Sequence, residues 1–219
     1  MRNFEIKNND TLSRKEQGSQ SGRSMIEMLG VLAIIGVLSV GGIAGYSKAM
    51  QKYRINKTIE QITLIAGNVR TFFAPQRSYD GVYCNCGTQY CSGDGCSIIR
   101  KAKILPDEMI VDTQQQHANI AIKVANVFGN FVILGAADDN KSFYIGYGLP
   151  FDAEICIELA TKDWSVSNAM KMEIQGPAGH VFSSIPADME EAVTYCANAA
   201  NSKGTPGTGN EIPFYIWVK

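Results

Sequence analysis

No surplus of basic residues marks this 219-residue chain: 20 Lys and Arg stand against 21 Asp and Glu, for a net charge of −1. That balance gives nucleic acid no electrostatic footprint, and no acidic run forms a solvating tail. Histidine is scarce. His117 and His180 are the whole complement, and neither has a companion at ligand spacing, so both read as solvated side chains. No nucleophile elbow, phosphate loop or paired-carboxylate arrangement is present, and neither enzymatic activity nor a cofactor is expected. Internal repeats are missing, as is any linker long enough to separate two globular domains.

Charge is also missing where it matters most. From Met28 to Tyr46 the sequence MLGVLAIIGVLSVGGIAGY holds nineteen residues without a formal charge. About 20 such residues span a bilayer core as a helix. Glu27 stands alone at the front of this run, and a charge at that depth costs roughly 2.5–3.5 kcal/mol even on a lenient insertion scale. A carboxylate kept at that cost needs a cationic partner, which makes Glu27 the leading functional candidate. Residues 1–22 are polar throughout, with four Lys/Arg and three Asp/Glu. They read as a cytoplasmic leader that obeys the positive-inside rule. A cut after Gly22 would keep the apolar helix and start it at Arg23, unlike a secretory signal, whose apolar stretch is discarded.

The helical pattern continues past Tyr46 with no proline before Pro75. Ile55, Ile59, Ile62, Ala66, Val69 and Phe73 recur at steps of three and four, which places one apolar stripe on one helix face. One helix from about Ser24 to about Phe73 is expected. Gly41 and Gly45 have the spacing that lets apolar helices approach closely. Beyond Pro75, a Gly/Cys/Ser-rich segment reads as loop. Ile120–Val124 reads as a strand, and Phe131–Leu134 with Ser142–Tyr147 as a hairpin around Asp138, Asp139 and Asn140, a turn that has the residue types of a calcium site as well. A short helix follows Pro150. Lys171–Ile174 is a strand, Pro186 is expected in the first turn of another helix, and Ile212–Val218 closes the chain as a strand. The sum is α+β: a long N-terminal helix, membrane-spanning in its first half, packed on an antiparallel β-sheet head. The expected divisions are 1–22 (leader), 23–49 (membrane and filament-core half of the helix) and 50–219 (head).

Six cysteines, in a chain whose bulk is expected outside the cytoplasm, favour disulfides. Cys84, Cys86, Cys91 and Cys96 follow C-x-C-x4-C-x4-C. They are expected to form two local disulfides in one of three pairings; the other readings are free or mixed thiols and a four-thiolate zinc site, although the paired C-x2-C knuckles of structural zinc are missing.

Gly22, Arg23 and Glu27 followed by the apolar run resemble the class III signal of type IV prepilins. The stretches ICIELATKDW, SIPADMEEAVTYCANAAN and EIPFYIWVK are similar to the C-terminal half of type IVb pilins of the enteric and conjugative-plasmid kind. The resemblance implies a prepilin peptidase that cuts after Gly22 and N-methylates Arg23. It implies pairing of Glu27 with the N-terminal amine of a neighbouring subunit, and a disulfide between Cys156 and Cys196. Its partners would be further copies of itself, other pilin subunits, the assembly platform and the inner membrane, ending in an extracellular filament for adhesion, DNA transfer or motility. One departure stands out. Arg23 occupies a first mature position that is usually apolar or aromatic, and at i, i+4 it shares a helix face with Glu27. Two other readings share these features: a type II secretion pseudopilin, and a membrane-anchored protein that holds metal in the Cys84–Cys96 cluster.

Overall fold

A computed structural model describes residues 20–86, 94–116, 119–204 and 209–219. The chain divides into two compact units, Met1–Ala49 and Met50–Lys219. Helix α1 runs Gln20–Phe73, starting earlier than the expected Ser24 and ending where the apolar stripe ends. Pro75 follows within a 3-10 turn, Ala74–Gln76, that leaves through a left-handed Arg77. Proline disfavours helical geometry in the residue before it, which accounts for the stop.

The second unit is built on a six-stranded sheet in the order β1-β4-β5-β8-β6-β7. The strands are β1 Tyr83–Cys86, β4 Val132–Ala136, β5 Phe143–Leu149, β6 Ala169–Ile174, β7 His180–Val181 and β8 Ile212–Val218. Every pairing in it is antiparallel. A second sheet pairs β2 Ile110–Gln116 with β3 Asn119–Val124. The remaining helices are α2 Asp94–Lys101, α3 Ala153–Ala160 and α4 Met189–Asn201. The last strand in sequence sits mid-sheet, between β5 and β6, and alternates buried and half-exposed residues along its length. That alternation is the signature of a strand with one face on the core.

The core joins the stripe of α1 to the inner face of this sheet. Ile55, Ile62, Ala66, Val69 and Phe73 are buried as the period demanded, with Ile65 added and Ile59 packed at the margin. Phe73 reaches β5 through Tyr79, whose ring lies 4.8 Å from that of Phe143. The outer face is aromatic. The register sets Tyr144 beside Trp217 and Gly146 beside Tyr215, and a Cβ at Gly146 would stand 2.6 Å from the Tyr215 ring. Glycine there lets the ring lie over the strand, the arrangement known to rescue glycine in sheets. Lys171 caps the row, its ammonium 4.1 Å from the Trp217 ring centre.

Two local expectations need correction. Pro186 lies before the helix rather than in its first turn: α4 starts at Met189, and the Asp188 carboxylate caps it by accepting from the N–H groups of Glu190 and Glu191. Two start signals competed within five residues, and the side-chain cap prevailed. The cysteine-rich stretch expected as loop contains β1 and α2. The strands β3, β4, β5, β6 and β8 fall on the segments read as strands, but β2 and β7 had no clear pattern in the sequence.

The turn before β4 is held by one buried amide. Asn126 accepts through Oδ1 from the N–H groups of Phe128 (2.9 Å) and Asn130 (3.1 Å), and donates through Nδ2 to the Gly148 carbonyl at 2.8 Å. Gly129 supplies the left-handed residue of this turn at φ 82°. Asn126→Ala leaves those groups without their partners, at a cost of about 1–3 kcal/mol. Urea unfolding of the full chain in detergent, followed by tryptophan fluorescence, is expected to show a loss of that size with the folded spectrum unchanged.

Candidate functional site

The residues singled out in the sequence fall into two places. The first is the leading part of α1. Gly22 and Arg23 lie in the helix as backbone. The Arg23 side chain is outside the described residues, and the expected Arg23–Glu27 pair with it. From Met25 onward the large apolar side chains stand in the open: Met28, Leu29, Leu32, Ile35, Leu38 and Ile43 are all more than half exposed. Glu27 shares that exposure. Nineteen helical residues from Met28 to Tyr46 rise roughly 28 Å, close to the thickness of a bilayer core. The helix is long and apolar enough to cross a membrane, with a mean hydropathy of 2.2 over its most apolar window and none of that window buried.

The polar groups of this stretch are folded back onto the helix. Ser39 donates to the Ile35 carbonyl at 2.7 Å and Ser47 to the Ile43 carbonyl at 3.0 Å, so neither hydroxyl is left unsatisfied in an apolar surrounding. Glu27 has no such local solution, since a carboxylate has no proton to donate to a carbonyl. Gly41, Gly42 and Gly45 have open space where a Cβ would stand. Among the described residues, nothing within 4 Å requires glycine at those positions.

The second place is the pair α3 and α4. Cys156 and Cys196 form a disulfide, with Cα atoms 5.6 Å apart across a sequence separation of 40, and both are fully buried. The short helices that carry them start on matched aspartates: Asp152 accepts from the Glu154 and Ile155 N–H groups, as Asp188 does on α4. Trp164, 1 % exposed, donates from Nε1 to the Leu159 carbonyl at 2.9 Å. The Ala187 N–H reaches the Ala160 carbonyl at 2.9 Å. Gln51 and Lys52 of α1 meet this layer through Asp152 and Glu158. Those contacts are largely exposed and add little stability.

Histidine is the point on which the sequence misled. His180 is not solvated: its Nε2 lies 2.7 Å from Glu191 Oε1, and its ring stacks on Tyr195 at 3.3 Å. Ser183 adds its N–H and hydroxyl to the same carboxylate. Burial alone would push the Glu191 carboxyl up, but the bonds from His180 and Ser183 outweigh it and hold it below the usual range. These groups tie β7 to the start of α4. No spacing signal linked residues 180, 183, 191 and 195 in advance. His117 lies outside the described residues. At the hairpin tip, Asp139 accepts from the Lys141 N–H at 2.9 Å and Asn140 is left-handed at φ 52°, which is the chemistry of a turn. Among the described residues, no three His, Cys, Asp or Glu side chains gather as a metal site.

A bare apolar helix leading into an α+β head closed by a disulfide defines a pilin-like protein. The family described as PilS N terminal matches residues 52–205, and the chain belongs to that pilus-related family, which is structural in character. The match lies within the second unit, so residues 1–51 are read on their own chemistry. No curated protein and no solved structure matches the chain.

The disulfide is expected to dominate the stability of the α3–α4 layer. In the chain-entropy account, a loop of this length contributes about 4 kcal/mol. The double variant Cys156→Ser/Cys196→Ser should lower the unfolding free energy by about 3–4 kcal/mol, read by urea titration, and wild-type protein treated with reductant should lose at least as much.

Proposed function

We propose that this chain is a structural subunit of a type IV pilus, of the type IVb group, made as a prepilin and polymerised through its N-terminal helix. The carrying observation is the uncharged, exposed helix from Met28 to Tyr46, with one carboxylate at its front, joined to a head that belongs to a pilus-related family. Residues 1–22 act as a leader. A prepilin peptidase cuts after Gly22, and the new N-terminus at Arg23 is methylated. Residues 23–49 rest in the inner membrane before assembly and in the filament core after it, and the head, residues 50–219, faces outward. Adhesion, DNA transfer and motility are the roles such a filament serves.

The charge arithmetic supports this reading. A free α-amine has its pKa near 7.7–8.0 and is largely cationic at neutral pH. Cleavage therefore creates a positive charge four residues before Glu27, at a depth where the carboxylate needs one. A buried charge is tolerable only with a well-placed counter-charge, so the amine of one subunit and Glu27 of the next set the axial register. Arg23 supplies a second cation within its own chain. The aliphatic face drives association without direction, and the glycines at 41 and 45 allow backbones to approach. The charges choose one alignment among many.

Intact-mass and N-terminal peptide analysis of chains from a sheared pilus fraction tests the processing. The expected mature form begins at Arg23 and carries one methyl group on its amine. Assembled chains that retain residues 1–22 would contradict the proposal.

A further inference from the structure

Four clustered cysteines allow three pairings, and the fold distinguishes among them. Cys84 lies on β1 with its side chain on the core face, 2 % exposed, and Cys96 lies on α2, 5 % exposed. Their sulfur atoms are 2.6 Å apart, closer than two non-bonded sulfurs pack. The chain around them is built to bring them together. β1 is the outermost strand of the six-stranded sheet, held by β4 alone through the register Cys84–Leu134, and α2 packs against β1 and β3. Among the described side chains of α2, Cys96 and Ile99 are buried, three residues apart and on one face. The cysteine thus points inward beside the residue that anchors the helix.

We propose that Cys84 and Cys96 form a disulfide that ties the edge strand β1 to α2, a second covalent closure of the head distinct from Cys156–Cys196. An edge strand exposes unpaired backbone groups that invite pairing with other chains. A strand fixed to a packed helix cannot leave the sheet without carrying the helix with it. The bond also closes a glycine- and serine-rich stretch of sequence that offers few residues to bury. The local chemistry favours a neutral product over two thiolates. The Cys96 sulfur and burial both push the Cys84 thiol up.

The reaction is a two-electron oxidation. Cys84 and Cys96 each lose a proton and together give up two electrons as the S–S bond forms. The acceptor is the disulfide of a thiol-oxidising protein outside the cytoplasm, which passes through a mixed disulfide and leaves as the dithiol. The step rests on the reading that the head is exported, and Cys156–Cys196 in the same molecule reports independently whether it was. Pairing of Cys84 with Cys96 leaves Cys86 and Cys91 to each other by count alone. The Cys86 side chain and all of Cys91 lie outside the described residues.

Full-length chain is extracted from membranes with thiols alkylated at lysis, then mapped by non-reducing peptide analysis. Two double variants isolate the pairing. Cys86→Ser/Cys91→Ser retains Cys84 and Cys96, and should yield a peptide linked between them with neither thiol alkylated. Cys84→Ser/Cys91→Ser retains Cys86 and Cys96, and should yield alkyl adducts on both. Equal linkage in the two variants would overturn the pairing, because it would mean that any two sulfurs in the cluster join. Wild-type protein with Cys156–Cys196 linked but Cys84 and Cys96 alkylated, or with the four thiols holding zinc, would overturn it while leaving export intact. Alkylation of all six cysteines would remove both the disulfide and the export reading.

Discussion

Everything in this molecule depends on one helix that has to satisfy two surroundings. The later half of α1 finds its partner inside its own chain: Ile55, Ile62, Ile65, Val69 and Phe73 are buried with the sheet. Full burial of an aliphatic side chain of that size is worth about 1.5–3 kcal/mol, so that face is fixed by the head. The earlier half has no such partner. Met28, Leu32, Ile35 and Leu38 each remain more than half exposed, and a continuous apolar face of this extent marks a surface meant for lipid or for another protein. Dispersion and apolar burial will cover it in either place. Neither specifies where along the helix a neighbour stops. In the proposed filament a lone carboxylate would, because an unpaired charge is penalised at every wrong register.

The head answers a different problem, how to keep a small α+β body intact. Its sheet is closed late. β8, the last strand, inserts between β5 and β6, and its inward residues Ile212, Phe214, Ile216 and Val218 complete the core. The C-terminal layer is then locked from above by α3 and α4, whose aspartate caps start the helices and whose cysteines join them. Glu191, His180, Ser183 and Tyr195 hold the short β7 edge to the same layer.

Much of this was legible in the residues, and the reasons are physical. The α1 stripe was visible because a period of three and four is unambiguous over five turns, and its end at Phe73 because Pro75 forbids continuation. β8 was visible as a short run of β-branched and aromatic residues that follows a Gly/Pro/Thr loop. Glu27 stood out because charge is so costly beside nineteen uncharged residues. What escaped detection had weak local signals. β1 and α2 are too short for a period, and their burial depends on contacts distant in sequence. β2 is polar over most of its length, and its pairing with β3 joins segments that carry no shared local signal. The helix start after Pro186 was misplaced by a few residues because proline and aspartate both signal a start, and only tertiary context decides which is used. The His180 cluster brings together residues from β7 and α4, a meeting that no spacing encodes.

The central claim is that Glu27 sets subunit register rather than helping to fold or insert the chain. Its most direct test is the yield of chain in sheared filaments from cells expressing Glu27→Val, compared with the amount inserted and processed in the membrane. The account predicts normal insertion and cleavage with a filament yield reduced sharply or to nothing. A filament yield equal to that of the unsubstituted chain would contradict it.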